Sequence, residues 1–226
     1  MSEQEAISSA LKSGAIALGL ALSEQQHVSL LGYGALILKW NKVYNLTAVR
    51  DFPGVLTHHL LDSLAVVLPL RRELEKQADG VPASGATWRL LDVGSGAGLP
   101  GAVISIMNDN IQVSCLDAVA KKVAFVQQVA AELKLPNLRG VHARVESLTD
   151  AYDIVSSRAF ASLPDFYKGS VNALAPKGFW LAMKGKVPSE ELAVISSSVN
   201  VFHVEQLKVP GLDAERCIVW AQPSKV

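Results

Sequence analysis

A glycine-rich turn is the segment of this chain whose residue types and spacing most directly indicate chemistry. Residues 90–101 read Leu-Leu-Asp-Val-Gly-Ser-Gly-Ala-Gly-Leu-Pro-Gly, so an apolar strand leads into Gly94, Gly96 and Gly98 and then into the start of a helix. Glycines at alternate positions let the backbone bend sharply and approach a ligand without Cβ clashes. The helix start offers N–H groups that lack intrahelical partners. The segment therefore predicts a ligand-binding loop at the end of a strand.

The spacing of the glycines separates the cofactors that such a loop could bind. A dinucleotide loop has glycine at its first, third and sixth positions, whereas the sixth position here is Leu99. A phosphate-binding P-loop would continue into Gly-Lys-Ser or Gly-Lys-Thr, and this chain does not. The remaining spacing is that of proteins that bind S-adenosylmethionine, in which the loop wraps the methionine part. A nicotinamide-dependent enzyme is a less favoured alternative.

Two acidic residues stand where they could contact such a cofactor. Asp117 ends the next predicted strand, 19 residues beyond Gly98, and a carboxylate there can accept hydrogen bonds from both ribose hydroxyls. It could also cap the helix that we expect to begin at Ala118, and the two roles can coexist. Asp92 could orient the amino group of the cofactor or only hold the turn.

Absent motifs narrow the choice of methyl acceptor. Methylation of an adenine amino group goes with an Asn/Asp-Pro-Pro-aromatic run after the fourth strand, whereas residues 156–160 read Ser-Ser-Arg-Ala-Phe. Methylation of a pyrimidine carbon needs a cysteine nucleophile in a loop, whereas Cys115 and Cys217 lie within predicted strands. A lone-pair acceptor remains, such as N7 of guanine, which carries no proton and needs no general base. Alignment and electrostatics can then carry the catalysis.

The composition indicates a globular protein with little bulk charge. Half of the residues are apolar and 19% are charged, and 21 basic residues balance 21 acidic ones, which argues against coating nucleic acid by bulk charge. Residues 121–186 nevertheless hold 10 basic against 5 acidic residues, which fits either an RNA-facing surface or ordinary solvated helices. Two cysteines make neither a disulfide framework nor a zinc cluster, and we expect no metal. With no evident signal peptide or membrane-spanning run, we expect a cytoplasmic protein.

The elements that must position these residues change in character along the chain. Residues 1–77 read as helices, one of which starts with a capping box at residues 23–26. Residues 78–85 are small and turn-prone and predict a linker. Over residues 86–226, apolar runs alternate with helices, which predicts a mostly parallel, doubly wound α/β sheet with a hairpin that gives an antiparallel edge strand. The expected strands are 88–93, 111–116, 138–142, 152–156, 178–183, 199–206 and 215–221, and the expected helices between them are 99–107, 118–135, 164–174 and 188–198.

Five blocks of sequence carry a family resemblance. They occur in order between residues 36 and 186 and read WNKVYNLT from Trp40, HLLDS from His59, DVGSGAGLPG from Asp92, RVE from Arg144 and SRAFASL from Ser157. Together they resemble the RsmG (GidB) family of bacterial small-subunit ribosomal RNA guanine-N7 methyltransferases. The last block and the Asn-Leu-Thr stretch of the first are far more specific than the glycine loop.

The resemblance implies a fold, a reaction and site residues. The fold is a Rossmann-like class I methyltransferase domain of seven strands, residues 86–226, preceded by a small helical domain. The reaction is S-adenosylmethionine-dependent methylation of one guanine in the decoding region of 16S rRNA, guanine 527 in the conventional numbering. By carry-over, Gly94 and Leu99 lie against the cofactor, Val145 and Glu146 beside its adenosine, and Arg158 at the catalytic mouth. With the loop argument, the expected cofactor-binding residues are Gly94, Gly96, Gly98, Leu99, Asp117, Val145, Glu146 and Arg158, and Arg158 is also the expected catalytic residue.

The carried-over residues also have structural interpretations. Val145 could be core packing, and Glu146 could start a short helix, favoured there by the helix dipole. Arg158 could form an ion pair with Asp165 or Asp153. If Arg158 acts on the base, we expect it to reach only O6 or a phosphate, because a bidentate grip on O6 and N7 of guanine would block the attacking lone pair.

Two other functions are kept as alternatives to rRNA methylation. One is a small-molecule methyltransferase, and the other is a non-catalytic rRNA-binding assembly factor on the same fold. The expected partner is 16S rRNA or the small ribosomal subunit. We expect neither a membrane nor DNA as a partner, and we expect a monomer.

Overall fold

The computed structural model describes residues 2–77 and 87–224; the linker predicted at residues 78–85 lies outside them. Local signals set the first two helices, α1 (Glu3–Ala17) and α2 (Glu24–Tyr44). Ser2 and Ser23 each accept a hydrogen bond from the backbone N–H three residues on, whose side chain reaches back in return, so both helices begin with a complete capping box. Asn45 ends α2 in the left-handed region, with φ of 49°.

A nearly continuous helical run of 26 residues follows, from residue 52 to residue 77. It comprises α3 (Phe52–Val55), a π-helical turn (Leu56–Leu61), α4 (Asp62–Leu64) and α5 (Val67–Gln77). By length and composition this run could cross a membrane, but its most apolar window is 72% buried inside the protein. Such burial is typical of a helix at the core of a globular fold.

Seven strands form one sheet: β1 (Trp88–Val93), β2 (Ile111–Asp117), β3 (Leu138–His142), β4 (Tyr152–Arg158), β5 (Leu174–Lys184), β6 (Val199–Leu207) and β7 (Arg216–Pro223). Their order is β3-β2-β1-β4-β5-β7-β6, and every neighbouring pair is parallel except those made by β7. The connecting helices are α6 (Gly101–Met107), α7 (Ala120–Glu132), α8 (Leu163–Ser170) and α9 (Ser189–Ala193). Because the strand order reverses between β1 and β4, the loops after these two strands border the crevice in which open α/β sheets bind ligands.

The predicted seven-stranded, mostly parallel sheet is confirmed, with local corrections. The helix expected over residues 164–174 ends at Ser170, and the strand expected from residue 178 begins at Leu174. The terminal hairpin does form the edge, but its antiparallel member β7 is the inner strand of the pair. The helix predicted over residues 188–198 is wrong beyond α9. Ser196 and Ser198 bond to each other, and the Ser196 hydroxyl also takes the Ser198 N–H, which competes with helical bonding.

One hydrophobic cluster joins the N-terminal helices to the sheet. It includes Leu30 of α2, Val103 of α6 and Phe125 of α7. The adjacent residues Leu90 and Leu91 of β1 belong to different clusters, because alternate strand residues face opposite sides of the sheet. The division into two domains stays a prediction, and the helices of residues 2–77 complete the core on one face.

Candidate active site

The glycine turn lies at the carboxyl end of β1. Gly94, Gly96 and Gly98 have φ of 66°, 59° and 83°, which glycine adopts without steric cost. A Cβ added at Gly94 would lie 2.5 Å from Phe160, and one at Gly98 would lie 3.2 Å from Val126, whereas one at Gly96 would meet nothing within 4 Å. The turn is therefore packed on both sides and presents bare backbone at Gly96.

Asp92 holds this turn from inside the protein. Its buried carboxylate accepts hydrogen bonds from the Gly101 N–H at 2.9 Å and from the Ser156 hydroxyl at 3.0 Å. Burial raises the pKa of Asp92 to about 6, although both hydrogen bonds act to lower it. Of the two roles left open by the sequence, these contacts favour the structural one.

Asp117 ties the turn to the next helix. One carboxylate oxygen accepts from the Gly96 N–H at 3.1 Å, the other from the Val119 N–H at 2.9 Å, and the Lys122 ammonium lies 3.4 Å away. The expectation that Asp117 caps a helix beginning at Ala118 is wrong, because α7 begins at Ala120 and its N-cap residue is Val119, with no side-chain cap hydrogen bond. The Gly96 contact places the same carboxylate at the open point of the turn.

The N-terminal helices reach the turn through Tyr33, a residue that the sequence analysis missed. Its buried phenol on α2 donates a hydrogen bond of 2.6 Å to the Ala97 carbonyl in the middle of the turn. The ring also stacks on Phe125 of α7, with centroids 6.5 Å apart. Tyr33 thus connects α2 and α7 to the glycine turn.

Arg158, at the end of β4, is likewise held by the N-terminal helices. Its Nη1 group donates to a carboxylate oxygen of Asp62 at 2.8 Å and to the His58 carbonyl at 3.0 Å. The interpretation that Arg158 pairs with Asp165 or Asp153 is wrong, because other groups engage those carboxylates. The protein hydrogen bonds of Arg158 within the described residues all use Nη1, so Nε and Nη2 keep their donors.

Asp62 binds a second arginine. Its side chain is 3% exposed, and its other oxygen accepts from Nε of Arg216 at 2.7 Å. Arg158 lies 96 positions and Arg216 lies 154 positions from Asp62 in sequence, so no local pattern could reveal the cluster. The one available signal was the block from His59 to Ser63, which contains Asp62.

The π-helical turn presents His59 to the same place. Nδ1 lies 2.9 Å from the His58 carbonyl and Nε2 lies 2.7 Å from the Thr47 hydroxyl. Because a carbonyl only accepts, Nδ1 carries the proton and Nε2 accepts from Thr47. Burial, together with the nearby Arg158, lowers the pKa of His59 to about 4, so the ring is neutral at pH 7.

These groups surround a cavity of about 570 Å³ at the carboxyl edge of the sheet, within the size range of small-molecule sites. The cavity is lined by four of the predicted cofactor-binding residues: Gly94, Gly96, Leu99 and Arg158. The other predicted residues do not line it: Gly98, Asp117, Val145 and Glu146. The structure thus brings half of the predicted set to one cavity.

Val145 and Glu146 lie in a 3₁₀ turn between β3 and β4. Val145 is buried in the hydrophobic cluster that contains Leu91, and Glu146 is exposed. The Oε1 atom of Glu146 lies 3.4 Å from where a Cβ at Gly169 of α8 would stand. Both structural interpretations of these residues are therefore present, and their role beside an adenosine stays a prediction.

The rim of the cavity is cationic. Arg158, Lys184 and Arg216 line it, against Asp62 as the single carboxylate among its described lining residues. Outside the lining, Glu191 pairs with Lys184 at 2.9 Å, so the cations still outnumber the carboxylates that face them. Arg139, part of the basic excess noted in the sequence, instead bonds Tyr152 near the amino ends of the strands. Part of the basic excess therefore lies away from the cavity.

The sequence is similar to one family of known proteins over most of its length. A family model described as rRNA small subunit methyltransferase G matches residues 26–219. The chain is 59% identical over 223 residues to the ribosomal RNA small subunit methyltransferase G of Paracidovorax citrulli, covering 98% of this chain and 92% of that one. It is 61% identical over 218 residues to the protein of the same name from Albidiferax ferrireducens, covering 96% and 97%.

Solved structures share the fold at low identity. The ribosomal protein L11 methylase of Lactobacillus delbrueckii subsp. bulgaricus aligns with a TM-score of 0.53 at 14% identity, over 73% of this chain and 79% of that one. A SAM-dependent methyltransferase from Aquifex aeolicus aligns with a TM-score of 0.50 at 16% identity, over 72% and 93%. These likenesses show a Rossmann-like methyltransferase fold.

Proposed function

The chain belongs to the rRNA small subunit methyltransferase G family, and on that premise we propose that it methylates N7 of one guanine, guanine 527 of 16S rRNA in the conventional numbering. The methyl donor is S-adenosylmethionine. The observation that supports the proposal most is the cationic cavity, which is lined both by the bare backbone at Gly96 and by Arg158. Among the described residues, Arg158 keeps its Nε and Nη2 donors for a ligand. We propose 16S rRNA or the small subunit as the partner of a monomeric, cytoplasmic enzyme.

The residues around the glycine turn fit this cofactor. The space beside Gly96, which a Cβ would enter without contact, suits close approach by the methionine part, held by Gly94 and Leu99. Asp117 would accept the ribose hydroxyls beside Gly96, and the predicted adenosine contacts are Val145 and Glu146. When bound, S-adenosylmethionine supplies an electrophilic methyl carbon bonded to a cationic sulphur.

The side chains around the cavity are suited to orientation and to electrostatic stabilisation. His59 is neutral and its Nε2 lone pair is engaged by Thr47, and both oxygens of Asp62 bind arginines. Neither group is free to remove a proton, which matches an acceptor such as guanine N7 that carries none. With Nη1 fixed by Asp62, Arg158 keeps donors to bind a phosphate or the guanine O6 while N7 stays open to the methyl carbon.

Mapping the modified base tests the proposal. Wild-type enzyme and labelled cofactor are incubated with 16S rRNA, free or in small subunits, from cells that lack the modification. Borohydride reduction and aniline cleavage then locate any 7-methylguanosine. We expect one site, at guanine 527. Label at another atom or nucleotide, or label only on small nucleophiles, would overturn the assignment, and rRNA binding without cofactor binding would favour an assembly factor.

The role of Arg158 has a separate test. We expect Arg158→Ala to lower the methyl-transfer rate far more than it lowers the affinity for S-adenosylhomocysteine, which calorimetry measures. The matched control is Arg89→Ala, because Arg89 pairs with Asp150 on the surface and does not line the cavity. Equal losses of rate and affinity would make Arg158 a cofactor ligand instead.

A further inference from the structure

An aromatic ring stands at the crevice without a role in the proposed reaction. Phe160 is two residues beyond the end of β4 and is 39% exposed, although large apolar side chains in this protein are mostly buried. Its ring lies against Gly94, since a Cβ there would stand 2.5 Å from Cδ2 and 3.1 Å from Cε2. Phe160 therefore borders both the glycine turn and the loop that carries Arg158.

The loop that carries Phe160 is held from several directions. Ala159 adopts a φ of 53°, a conformation that costs a residue with a Cβ on the order of 1 kcal/mol. The Lys184 ammonium donates to the Ala161 carbonyl at 3.3 Å, and Phe166 packs edge-on against the Phe160 ring at 6.3 Å. Phe160 does not itself line the cavity, but its neighbours Gly94 and Ala159 do. The ring is thus held next to the cavity by contacts that leave part of it open to solvent.

Methyl transfer to N7 moves a positive charge onto the base. The N7 lone pair forms the new C–N bond as the S–C bond breaks, and the electrons of that bond go to sulphur. The sulphonium becomes a neutral thioether, the purine becomes a cation, and no proton moves. An aromatic face stabilises a cation, and stacking on aromatic rings is the usual way in which proteins hold unpaired RNA bases.

We propose that Phe160 stacks on the target guanine and stabilises the positive charge that develops on it, with Arg158 engaging O6 or a phosphate at its side. This inference rests on the proposed function, because only methylation at a ring nitrogen makes the base cationic. Phe160 is then a substrate-contacting residue, distinct from the backbone that holds the cofactor.

The test removes the aromatic face and keeps an apolar side chain. Phe160→Leu retains an apolar side chain without an aromatic face, and Phe160→Tyr restores the face. We expect Phe160→Leu to lower the single-turnover rate constant on saturating, unmethylated substrate by about 3- to 30-fold, the range of a cation–π contact, with Phe160→Tyr close to wild type. We also expect 7-methylguanosine monophosphate to inhibit the wild type more strongly than guanosine monophosphate, and Phe160→Leu to lose that preference.

Controls separate this role from the others. The affinity for S-adenosylhomocysteine should stay at the wild-type value in Phe160→Leu, and the melting temperature should fall only by the amount expected for the lost packing against Phe166. The control Phe202→Leu, on the outermost strand β6, removes a ring that packs against the core far from the cavity, and it should leave the rate and the affinity unchanged. A rise in the dissociation constant equal to the fall in rate would make Phe160 a wall of the cofactor site and overturn the proposal. A wild-type rate in Phe160→Leu would do the same while leaving the proposed function intact. Failure of the proposed function itself would appear in the wild type, as the absence of 7-methylguanosine.

Discussion

The buried carboxylate of Asp62 is the contact whose loss should cost the most. Both oxygens bind guanidinium groups, Arg158 at 2.8 Å and Arg216 at 2.7 Å, and the side chain is 3% exposed. Asp62→Asn keeps one acceptor oxygen but turns an NH₂ group toward the other arginine, which leaves that cation without its partner. Breaking a buried pair costs about 3–5 kcal/mol. Because the arginine side chains are 20% and 24% exposed, water recovers part of this, and we expect the free energy of unfolding to fall by about 2–4 kcal/mol.

Urea denaturation of the wild type and the variant measures this difference. The matched control is Glu205→Gln, because Glu205 bonds Arg72 on the surface, where the two side chains are 21% and 51% exposed; we expect a loss there of only about 0.2–1 kcal/mol. A double-mutant cycle of Asp62→Asn with Arg158→Gln isolates the coupling of that pair. The reasoning is refuted if Asp62→Asn costs no more than the surface control, or if the cycle shows no coupling.

Three further predictions concern the turn and its neighbours. Tyr33→Phe removes the hydrogen bond to the Ala97 carbonyl. We expect urea denaturation to show a free energy of unfolding lowered by about 1 kcal/mol, and calorimetry to show an affinity for S-adenosylhomocysteine lowered by up to about fivefold. No change in either quantity would contradict this prediction. In Gly96→Ala the new Cβ contacts no neighbour, but the residue must keep a φ of 59°. We therefore expect the free energy of unfolding to fall by about 1–2 kcal/mol and the cofactor to bind more weakly. An unchanged affinity would contradict this prediction. Burial raises the pKa of Asp92 from 3.8 to about 6, so this group stabilises the folded protein below pH 4. That contribution to the free energy of unfolding, about 3 kcal/mol, is lost as the pH rises through 6. The pKa of His59 is lowered from 6.5 to about 4, so this group stabilises the folded protein above pH 6.5, and that contribution is lost as the pH falls through 4. The two groups therefore change the stability with pH in opposite directions. Denaturation at a series of pH values should therefore show stability falling on acidification in Asp92→Asn and falling on alkalinisation in His59→Gln, and identical pH profiles would contradict both.

Local sequence determines the elements more fully than it determines their ends. The capping box at Ser23 and the apolar run of β1 are local signals, and both elements begin where they were predicted. The failure near residue 195 has the opposite cause. Val194 and Ile195 continue an apolar pattern that suits a helix, but the hydroxyls of Ser196 and Ser198 bond to each other and the Ser196 hydroxyl accepts from the Ser198 N–H. Those bonds compete with the helix.

The site was predictable only as far as its residues are neighbours in sequence. The glycine turn and Asp92 stand within ten positions of each other, and the turn was found with its strand and helix. Tyr33 bonds to Ala97, which is 64 positions away in the sequence. A tyrosine in an amphipathic helix has no sequence feature that shows it will form a hydrogen bond with a distant loop. Arg158 was identified, but its partner Asp62 was not, because the pairing depends on how the helices dock on the sheet.

These long-range contacts predict that the N-terminal helices contribute to the free energy of cofactor binding. Tyr33 bonds to the glycine turn and Asp62 bonds to Arg158, and both the turn and Arg158 line the same cavity. The position of the helices therefore determines two walls of the site. If packing of the helices against the sheet raises the affinity for the cofactor, then bound cofactor must stabilise that packing by the same free energy. A variant that weakens either contact should then show a larger loss of stability in the presence of saturating S-adenosylhomocysteine than in its absence. If the ligand added the same stabilisation to Tyr33→Phe as to the wild type, the helices would support the fold without supporting the site.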